Sequence, residues 1–253
     1  MLHFSDIVFG PIHSRRLGSS LGINLLPRDG KLCNFDCIYC ECGWNKDGRV
    51  SSPLLPDADD VAAALEDSLL SCRKQNKVID SITFSGNGEP TLNPFFPEII
   101  DRVIDIRDRY FPEAKVSVLS NATMLWKEEV FVSLSRVDNP ILKIDAPTDA
   151  GVSVINRPSG RYSLEKVIGN LRRFDGDFIL QTMFLRGSGV DSSDGKSLSA
   201  WMDIVRDLHP REIMVYTLDR ETPQKGLEKF SEEEMRRMVQ PLVDEGFSVQ
   251  VRG

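Results

Sequence analysis

The chain has 253 residues and a formal net charge of −7, with 41% hydrophobic and 27% charged residues. This length and composition predict one large globular domain with a sizeable core, and no apolar run approaches the roughly 20 residues of a membrane helix. The acidic balance argues against general nucleic-acid binding, which phosphate neutralisation drives. Because the N-terminus also lacks the basic-then-apolar order of a signal peptide, we expect a cytoplasmic protein with no membrane partner.

Apolar strands and amphipathic helices alternate along the chain. In chain order, the sequence predicts strands at 21–26, 81–85, 115–119, 141–145, 178–184, 212–217 and 248–251. The predicted helices begin at Asp57 or Asp59 and end near 72, and then run over 97–109, 127–135, 164–174, 198–208 and 232–244, with N-cap residues Ser163 and Ser231. This order predicts a parallel sheet with crossover helices, which an open doubly wound sheet and a full or partial (β/α) barrel satisfy equally. In either fold, the chemistry is expected at the C-terminal ends of the strands.

Four of the five cysteines lie close together, and three of them have the spacing C-x3-C-x2-C. Cys33, Cys37 and Cys40 would hold three irons of a cubane cluster and leave the fourth iron without a protein ligand. An open metal position is where a substrate or cofactor coordinates, so this arrangement favours catalysis over plain electron transfer. The alternatives are a chance grouping, or a zinc or closed cluster site in which Cys42 is the fourth ligand. Cys72 lies on a predicted helix and is expected to be a buried small apolar residue.

The cysteine loop follows the first predicted strand and carries an aromatic residue, Tyr39, directly before the last cysteine. In both respects it resembles the signature of the radical S-adenosylmethionine (SAM) superfamily. The resemblance implies one [4Fe–4S] cluster on Cys33, Cys37 and Cys40, whose open iron binds the amino and carboxylate groups of SAM. It further implies reductive cleavage of SAM to a 5′-deoxyadenosyl radical, and an electron donor such as flavodoxin or ferredoxin. The implied fold is α/β, a partial (β/α)6-type parallel barrel in a single domain.

A glycine-rich segment after the second predicted strand is the next candidate site. Gly86, Asn87, Gly88 and Glu89 resemble the Gly-Gly-Glu segment with which the family holds the SAM amino group. Glycines let the backbone approach a ligand closely, and a carboxylate suits an ammonium group. Asn87, between the glycines, departs from the family pattern, and the segment taken alone would also be an ordinary strand-to-helix turn.

Polar side chains occur at three later strand positions. Ser120 and Asn121 follow the third predicted strand, Lys143 and Asp145 end the fourth, and Gln181 lies within the fifth. In the resembled family such positions contact the SAM ribose or carboxylate. Taken singly, each would be a polar residue satisfied within the fold. Their placement at successive strand ends makes them candidate SAM-binding residues.

A narrower resemblance covers roughly residues 8 to 225. The stretch 10–27, the cysteine loop, the segment 84–92, Asn156-Arg157-Pro158 and the stretch 163–168 are similar to radical SAM proteins related to wyosine-base tRNA modification. Within the first stretch, His13, Arg15 and Arg16 are candidate contacts to the substrate or the SAM carboxylate, because arginines bind carboxylate and phosphate. The alternative is a strand edge whose arginines pair with acids.

The expected organisation is one domain over 1–253, with an N-terminal segment and first strand (1–30), a cluster loop (31–45) and the remaining β/α units (46–253). The substrate classes left open are an RNA base, a protein partner and a small metabolite. The rival from another class is a non-enzymatic iron–sulfur or zinc module, which requires Cys42 as a ligand.

Overall fold

The computed structural model describes residues 3–14, 16–48 and 54–253, whose strands form two sheets. The strands are β1 (Val8–Ser14), β2 (Gly18–Ile23), β3 (Ser81–Phe84), β4 (Lys115–Ser120), β5 (Asn139–Lys143), β6 (Ile179–Met183), β7 (Leu185–Gly187), β8 (Val190–Asp191), β9 (Glu212–Tyr216), β10 (Leu227–Lys229) and β11 (Val249–Arg252). The main sheet has the order β1-β2-β3-β4-β5-β6-β9-β11, and the small sheet has the order β10-β7-β8. β1 pairs with β2 antiparallel, whereas β2 and all later strands of the main sheet are parallel to their neighbours.

The described residues form eight α-helices, of which the longer ones connect the parallel strands and cover one face of the main sheet. They are α1 (Asn45–Gly48), α2 (Ala58–Lys74), α3 (Phe96–Tyr110), α4 (Glu128–Leu134), α5 (Asp149–Ile155), α6 (Leu164–Leu171), α7 (Gly195–Leu208) and α8 (Glu232–Asp244). Asp57 caps α2 with a capping box, and Ser163 and Ser231 cap α6 and α8 as the sequence predicts. Among the helices of the described residues, none has the length and hydropathy of a membrane span.

The two faces of the curled main sheet differ in chemistry. On the helix-covered face, Ile82 and Phe84 of β3 belong to one continuous apolar core. On the concave face, the hydroxyl oxygen of Ser81 lies 2.9 Å from that of Thr83 and 2.9 Å from that of Ser117. Because successive strand residues face opposite ways, the alternation of apolar and hydroxyl residues in β3 fixes which face the helices cover. The concave face is therefore left for the site.

The expected fold class is confirmed as a single α/β domain whose parallel sheet curls into a half-barrel. Each predicted strand and helix is present, with ends that differ by a few residues. The first predicted strand is too long at its end, because β2 stops at Ile23 and the Asn24 side chain donates to the carbonyl oxygen of Leu26 at 3.2 Å. The sequence analysis did not predict β1, α5 or the small sheet, since these elements are short or interrupted by glycine and proline.

Candidate active site

Three cysteine side chains meet one cavity at the C-terminal edge of the main sheet. Cys33, Cys37 and Cys40 lie on the loop between β2 and α1, and they line a cavity of about 190 Å³ together with residues at or just after the ends of β3, β4 and β5. We call this the cysteine cavity. Cys42 also lines it, with its sulfur 3.5 Å from the carbonyl oxygen of Gly86. The loop therefore places four thiols at the edge where sheet topology predicts chemistry.

The environment of each thiol differs. Burial raises the pKa of Cys33 and of Cys37 above the ordinary value. Hydrogen bonding with Cys42 lowers the pKa of Cys40 to about 5. Cys72 lies on α2 and is 5% exposed in the apolar core, as the sequence predicts, and it does not line the cavity. The cavity thus gathers the clustered cysteines and leaves Cys72 apart.

The shape of the cysteine loop is fixed by backbone hydrogen bonds to the end of α5. The Asp36 N–H donates to the Asn156 carbonyl oxygen at 2.8 Å, and the Ile38 N–H donates to the Ile155 carbonyl oxygen at 2.9 Å. Within the described ranges, no three His, Cys, Asp or Glu side chains are close enough to hold a single metal ion. A cluster of several irons is held by thiolates that lie farther apart than the ligands of a single metal ion.

The glycine-rich segment packs directly on the start of the cysteine loop. The Leu32 N–H donates to the Asn87 carbonyl oxygen at 2.9 Å, and the Glu89 N–H donates to the Leu32 carbonyl oxygen at 3.1 Å. A Cβ at Gly88, whose φ is +137°, would lie 1.9 Å from the Leu32 carbonyl oxygen. A Cβ at Gly86 would lie 2.3 Å from the side-chain oxygen of Asn24. Both positions thus require glycine, because neighbouring atoms lie too close for a Cβ, and both glycines line the cavity.

The Asn87 side chain corrects one expectation, because it points away from the cysteine cavity. Its oxygen accepts a hydrogen bond from the Phe4 N–H at 3.0 Å. Its amide nitrogen donates to the carbonyl oxygens of Phe4 and Pro27, at 2.8 and 2.9 Å. The residue therefore ties the N-terminal segment to the sheet edge, and only its backbone adjoins the loop that carries the cysteines.

Glu89 is buried and organises the end of β4. Its carboxylate accepts hydrogen bonds from the Thr91 hydroxyl at 2.5 Å, the Ser120 hydroxyl at 2.8 Å and the Asn121 N–H at 2.7 Å. Burial raises the pKa of this carboxyl group. Asn121 in turn donates from its side chain to Asn34 at 2.7 Å. Glu89, Ser120 and Asn121 all line the cavity, and they also hold one another in place.

A second polar network connects Tyr39 with the end of β5. The Tyr39 hydroxyl donates to Asp145 and accepts from the Lys143 ammonium group, whose nitrogen is 2.7 Å away. Burial raises the pKa of Tyr39 well above its ordinary value, which keeps the phenol protonated as a donor. The Asn156 side chain donates to Asp145 at 2.6 Å and contacts the Cys37 sulfur at 3.3 Å. The sequence did not predict this contact, because the stretch Asn156-Arg157-Pro158 was considered only as part of the narrower family resemblance.

Two polar atoms at the cavity have no hydrogen-bond partner among the described residues. They are the side-chain nitrogen of Gln181 and one guanidinium nitrogen of Arg16, both buried. The Arg16 guanidinium carbon lies 4.9 Å from the centroid of the Tyr216 ring. Buried donors without partners are costly, so these two atoms point to a ligand that accepts hydrogen bonds. His13 is exposed on β1 and does not line the cavity, and Arg15 lies outside the described residues.

A second cavity, of about 250 Å³, adjoins the first. Arg16, Tyr39, Cys40 and Tyr216 line both cavities. We call the second one the arginine cavity, because its lining includes three arginines. Two acids line it as well. The arginines are Arg16, Arg220 and Arg252, and the acids are Glu41 and Asp219. Space for a second molecule therefore opens directly from the cysteine cavity.

The geometry agrees with a match to a known family. The sequence profile of the radical SAM superfamily matches residues 29–177, which is more than half of the chain. The chain belongs to the radical SAM superfamily. Members of the radical SAM superfamily use a [4Fe–4S] cluster and SAM, and these are the cofactors of this chain. The donor set fits them, since thiols and unpartnered buried donors face the same space.

The radical SAM chain has similar relatives among curated sequences. It is 31% identical to a Brachyspira hyodysenteriae protein named GTPase Obg, over 91% of this chain and 32% of that protein. It is 27% identical to a UPF0026 protein of Methanocaldococcus jannaschii, over 87% of this chain and 65% of that protein. A UPF0026 protein of Helicobacter pylori is also 27% identical, with 90% of this chain and 71% of that protein covered. The chain thus spans about a third of the first relative and about two thirds of the second.

Solved structures share the radical SAM fold. A radical SAM methyltransferase from Sphaerobacter thermophilus superposes with a TM-score of 0.68 at 19% identity, over 92% of this chain and 65% of that one. SuiB of Streptococcus suis, bound to SAM, gives 0.64 at 14% identity, over 89% and 49%. Archaeal TYW1 gives 0.55 at 12% identity, over 90% and 72%. At these identities the likeness establishes the fold alone.

Proposed function

We propose that Cys33, Cys37 and Cys40 hold one [4Fe–4S] cluster and that SAM binds beside it in the cysteine cavity. The observation that carries this proposal is the convergence of three thiols with the unpartnered donors of Gln181 and Arg16 on one space. When bound, the cluster and SAM supply a 5′-deoxyadenosyl radical that abstracts hydrogen from a substrate. The other residues bind, orient and seal this space.

The glycine-rich segment and the β4 edge position the ligands in this proposal. Gly86 and Gly88 bring backbone atoms to the cavity wall, where no side chain would fit. Glu89, as a carboxylate, keeps Ser120 and Asn121 at the wall through hydrogen bonds and favours the ammonium group of SAM. A carboxamide at 89 would keep the shape but lose the charge.

The Tyr39 network has a different role in the proposal. Lys143 places a cation next to the cavity while its nitrogen remains 3.9 Å from the Asp145 carboxylate. The Asp145 carboxylate accepts hydrogen bonds from Asn156 and Tyr39, and these bonds offset the cost of burying its charge. The network thereby fixes the segment that precedes Cys40, and it keeps a positive group available to the ribose or carboxylate of SAM.

Replacing Asn87 by alanine is expected to reduce stability and to spare cofactor binding. Three side-chain hydrogen bonds to Phe4 and Pro27 are lost, so the free energy of unfolding should fall by about 2–4 kcal/mol. The SAM dissociation constant should change by less than about twofold, because the side chain does not face the cavity. Urea unfolding and SAM titration of the reconstituted protein check both statements, and a tenfold weaker SAM complex at unchanged stability would contradict them.

Replacing Arg16 by glutamine is expected to weaken SAM binding. We assign the unpartnered guanidinium nitrogen to the SAM carboxylate, a charge-assisted contact worth roughly 1.5–3 kcal/mol. The dissociation constant of SAM should therefore rise at least about tenfold. Calorimetric titration of the reconstituted variant measures it. An unchanged dissociation constant of SAM would contradict this assignment and would make Arg16 a contact to the substrate in the arginine cavity.

We propose an RNA base as the first candidate substrate. The narrower resemblance to proteins related to wyosine-base tRNA modification supports it, and so does the arginine-rich lining of the adjoining cavity in a chain of net charge −7. With Arg16 assigned to SAM, Arg220 and Arg252 allow two phosphate contacts. The logarithm of the tRNA binding constant should then fall with the logarithm of salt with a slope of about −1.5 to −2. A flat salt response removes RNA and leaves a protein partner or small metabolite as the substrate.

The test of the proposed reaction is product formation under anaerobic conditions. The reconstituted protein is incubated with dithionite and SAM, and 5′-deoxyadenosine and methionine are measured by liquid chromatography. We expect both products in equal amounts. An intact cluster that yields neither product would contradict the proposal.

A further inference from the structure

A third depression adjoins the cysteine loop at Asn34 and Phe35, whereas the arginine cavity adjoins the loop at Tyr39 and Cys40. It has a volume of about 480 Å³, and we call it the basic groove. Its wall and floor include Asn34, Phe35, Trp126, Arg161, Tyr162 and Lys166. The proposed function gives it no role, because it shares only Phe35 with the cysteine cavity and no lining residue with the arginine cavity.

Phe35 separates the basic groove from the cysteine cavity. The same side chain lines both spaces, so one aromatic ring lies between the groove and the site of the thiols. The Phe35 N–H also contacts the Cys33 sulfur at 3.4 Å, and its ring packs edge-on against Tyr162 at 5.7 Å. The groove is thus the surface from which a bound molecule would come close to the proposed cluster without entering the SAM site.

The floor of the groove is well organised. Asn34, which lies between Cys33 and Cys37, donates to the Thr123 hydroxyl at 2.6 Å on one wall. On the other wall, the Ser159 N–H donates to the Asn34 carbonyl oxygen at 2.8 Å. Because both walls are fixed to the cysteine loop, the groove keeps a defined position relative to the proposed cluster.

The charge of the groove is opposite to that of the whole chain. Its lining contains Arg161 and Lys166 and no acidic residue. Neither forms an ion pair with a described residue, whereas many arginines of the chain do, including the nearby Arg172 and Arg173. Both side chains are exposed. An exposed pair of cations in a chain of net charge −7 favours a negatively charged partner.

An exposed aromatic ring completes the groove. Trp126 is 66% exposed at its rim, and the Lys127 nitrogen lies 5.7 Å from the centroid of that ring. Tryptophan and arginine are the residue types most enriched where interfaces concentrate their binding energy. The combination indicates a protein partner that covers an aromatic anchor and pairs with the surrounding cations.

We propose that the basic groove docks an acidic protein that donates single electrons to the cluster. This inference rests on the proposed function, because only a bound cluster gives the groove an electron acceptor. In the step, one electron leaves the reduced flavin or iron–sulfur centre of the donor and enters the cluster, and no covalent bond forms or breaks. The acidic face of the donor meets Arg161 and Lys166, and its redox centre then lies across Phe35 from the cysteines.

The size and chemistry of the groove favour a protein over RNA. Nucleic-acid interfaces neutralise a series of phosphates, and only two cations line this groove. Weak electron-transfer complexes, in contrast, are small and depend on charge complementarity for their rate of association.

The experiment compares two double variants of equal charge change. Arg161→Glu/Lys166→Glu reverses the groove, and Lys74→Glu/Lys77→Glu reverses two exposed lysines at the end of α2 and before β3, at the amino edge of the sheet. Each protein is reconstituted, and the rate of cluster reduction by reduced flavodoxin is followed by stopped-flow absorbance at several ionic strengths. Reduction by dithionite is measured in parallel.

The groove variant should be reduced by flavodoxin at least about tenfold more slowly at low salt, and its rate should no longer fall with ionic strength. The lysine control should keep most of the rate, and dithionite should reduce all three proteins equally. Equal rates of reduction by flavodoxin in the two double variants would overturn the proposal. If the groove variant lost tRNA binding at an unchanged rate of reduction, the groove would bind RNA, and the proposal would also be wrong. A parent protein whose cluster dithionite cannot reduce would count against the proposed function itself.

Discussion

Serine at Cys33, Cys37 or Cys40 is expected to remove the cluster, whereas serine at Cys42 or Cys72 is expected to leave about four irons per chain. The three sulfurs converge on the cysteine cavity, and a serine hydroxyl is a much weaker ligand for a cluster iron than a thiolate. Cys42 faces the same cavity but contacts the Gly86 carbonyl oxygen. Iron and sulfide analysis after anaerobic reconstitution, together with the visible absorbance of the cluster, measures the result.

The five serine variants also separate the enzyme from its rival. A non-enzymatic module with four protein ligands requires Cys42, so Cys42→Ser would then lose metal as completely as Cys37→Ser. Cys72→Ser controls for general damage, because that residue lies on α2 in the apolar core. Loss of iron in Cys42→Ser with retention in Cys72→Ser would contradict the three-cysteine assignment.

Alanine at Gly88 is expected to be the most damaging change that leaves every polar side chain in place. The new Cβ would lie 1.9 Å from the Leu32 carbonyl oxygen, so the two backbone hydrogen bonds that join Leu32 to this segment must break. The strained φ of +137° adds to the cost. Together these effects should lower the free energy of unfolding by about 3–5 kcal/mol.

The disruption caused by Gly88→Ala should also weaken binding of the cluster, since Leu32 directly precedes Cys33 on the loop. We expect reconstituted Gly88→Ala to hold less than about a tenth of the parental iron, a difference of more than about 1.4 kcal/mol in cluster retention. Gly169→Ala is the matched control, because a Cβ there meets no atom within 4 Å and alanine favours the helix α6. Parental iron and stability in Gly88→Ala would show that the loop does not depend on this close approach.

The parts of the fold that the sequence predicted are those with a strong local signal. The parallel strands are apolar runs bounded by polar residues, and the capping residues Asp57 and Ser231 carry the expected acids nearby. The antiparallel strand β1 was missed because Gly10 and Pro11 interrupt its pattern. Pairing with β2 stabilises β1, and the sequence of β1 alone does not report that pairing.

The site was predictable where function follows from spacing along the chain, and less so where side-chain direction matters. Asn87 lies between two glycines whose φ angles, +156° and +137°, turn the chain away from simple strand alternation. Its side chain therefore faces the N-terminal segment, which no sequence pattern indicated. Asn156 reaches the Cys37 sulfur from 119 residues away, at the end of α5. Contacts of that kind depend on tertiary packing and leave no local spacing signal.

The most direct test of the account is electron paramagnetic resonance of the reconstituted protein, reduced with dithionite, before and after SAM is added. A cluster held by three cysteines keeps one iron free for SAM, so its g values should shift when SAM binds, and they should shift equally in Cys42→Ser. A reduced cluster whose spectrum is unchanged at saturating SAM would mean that no iron is open, and it would contradict the account.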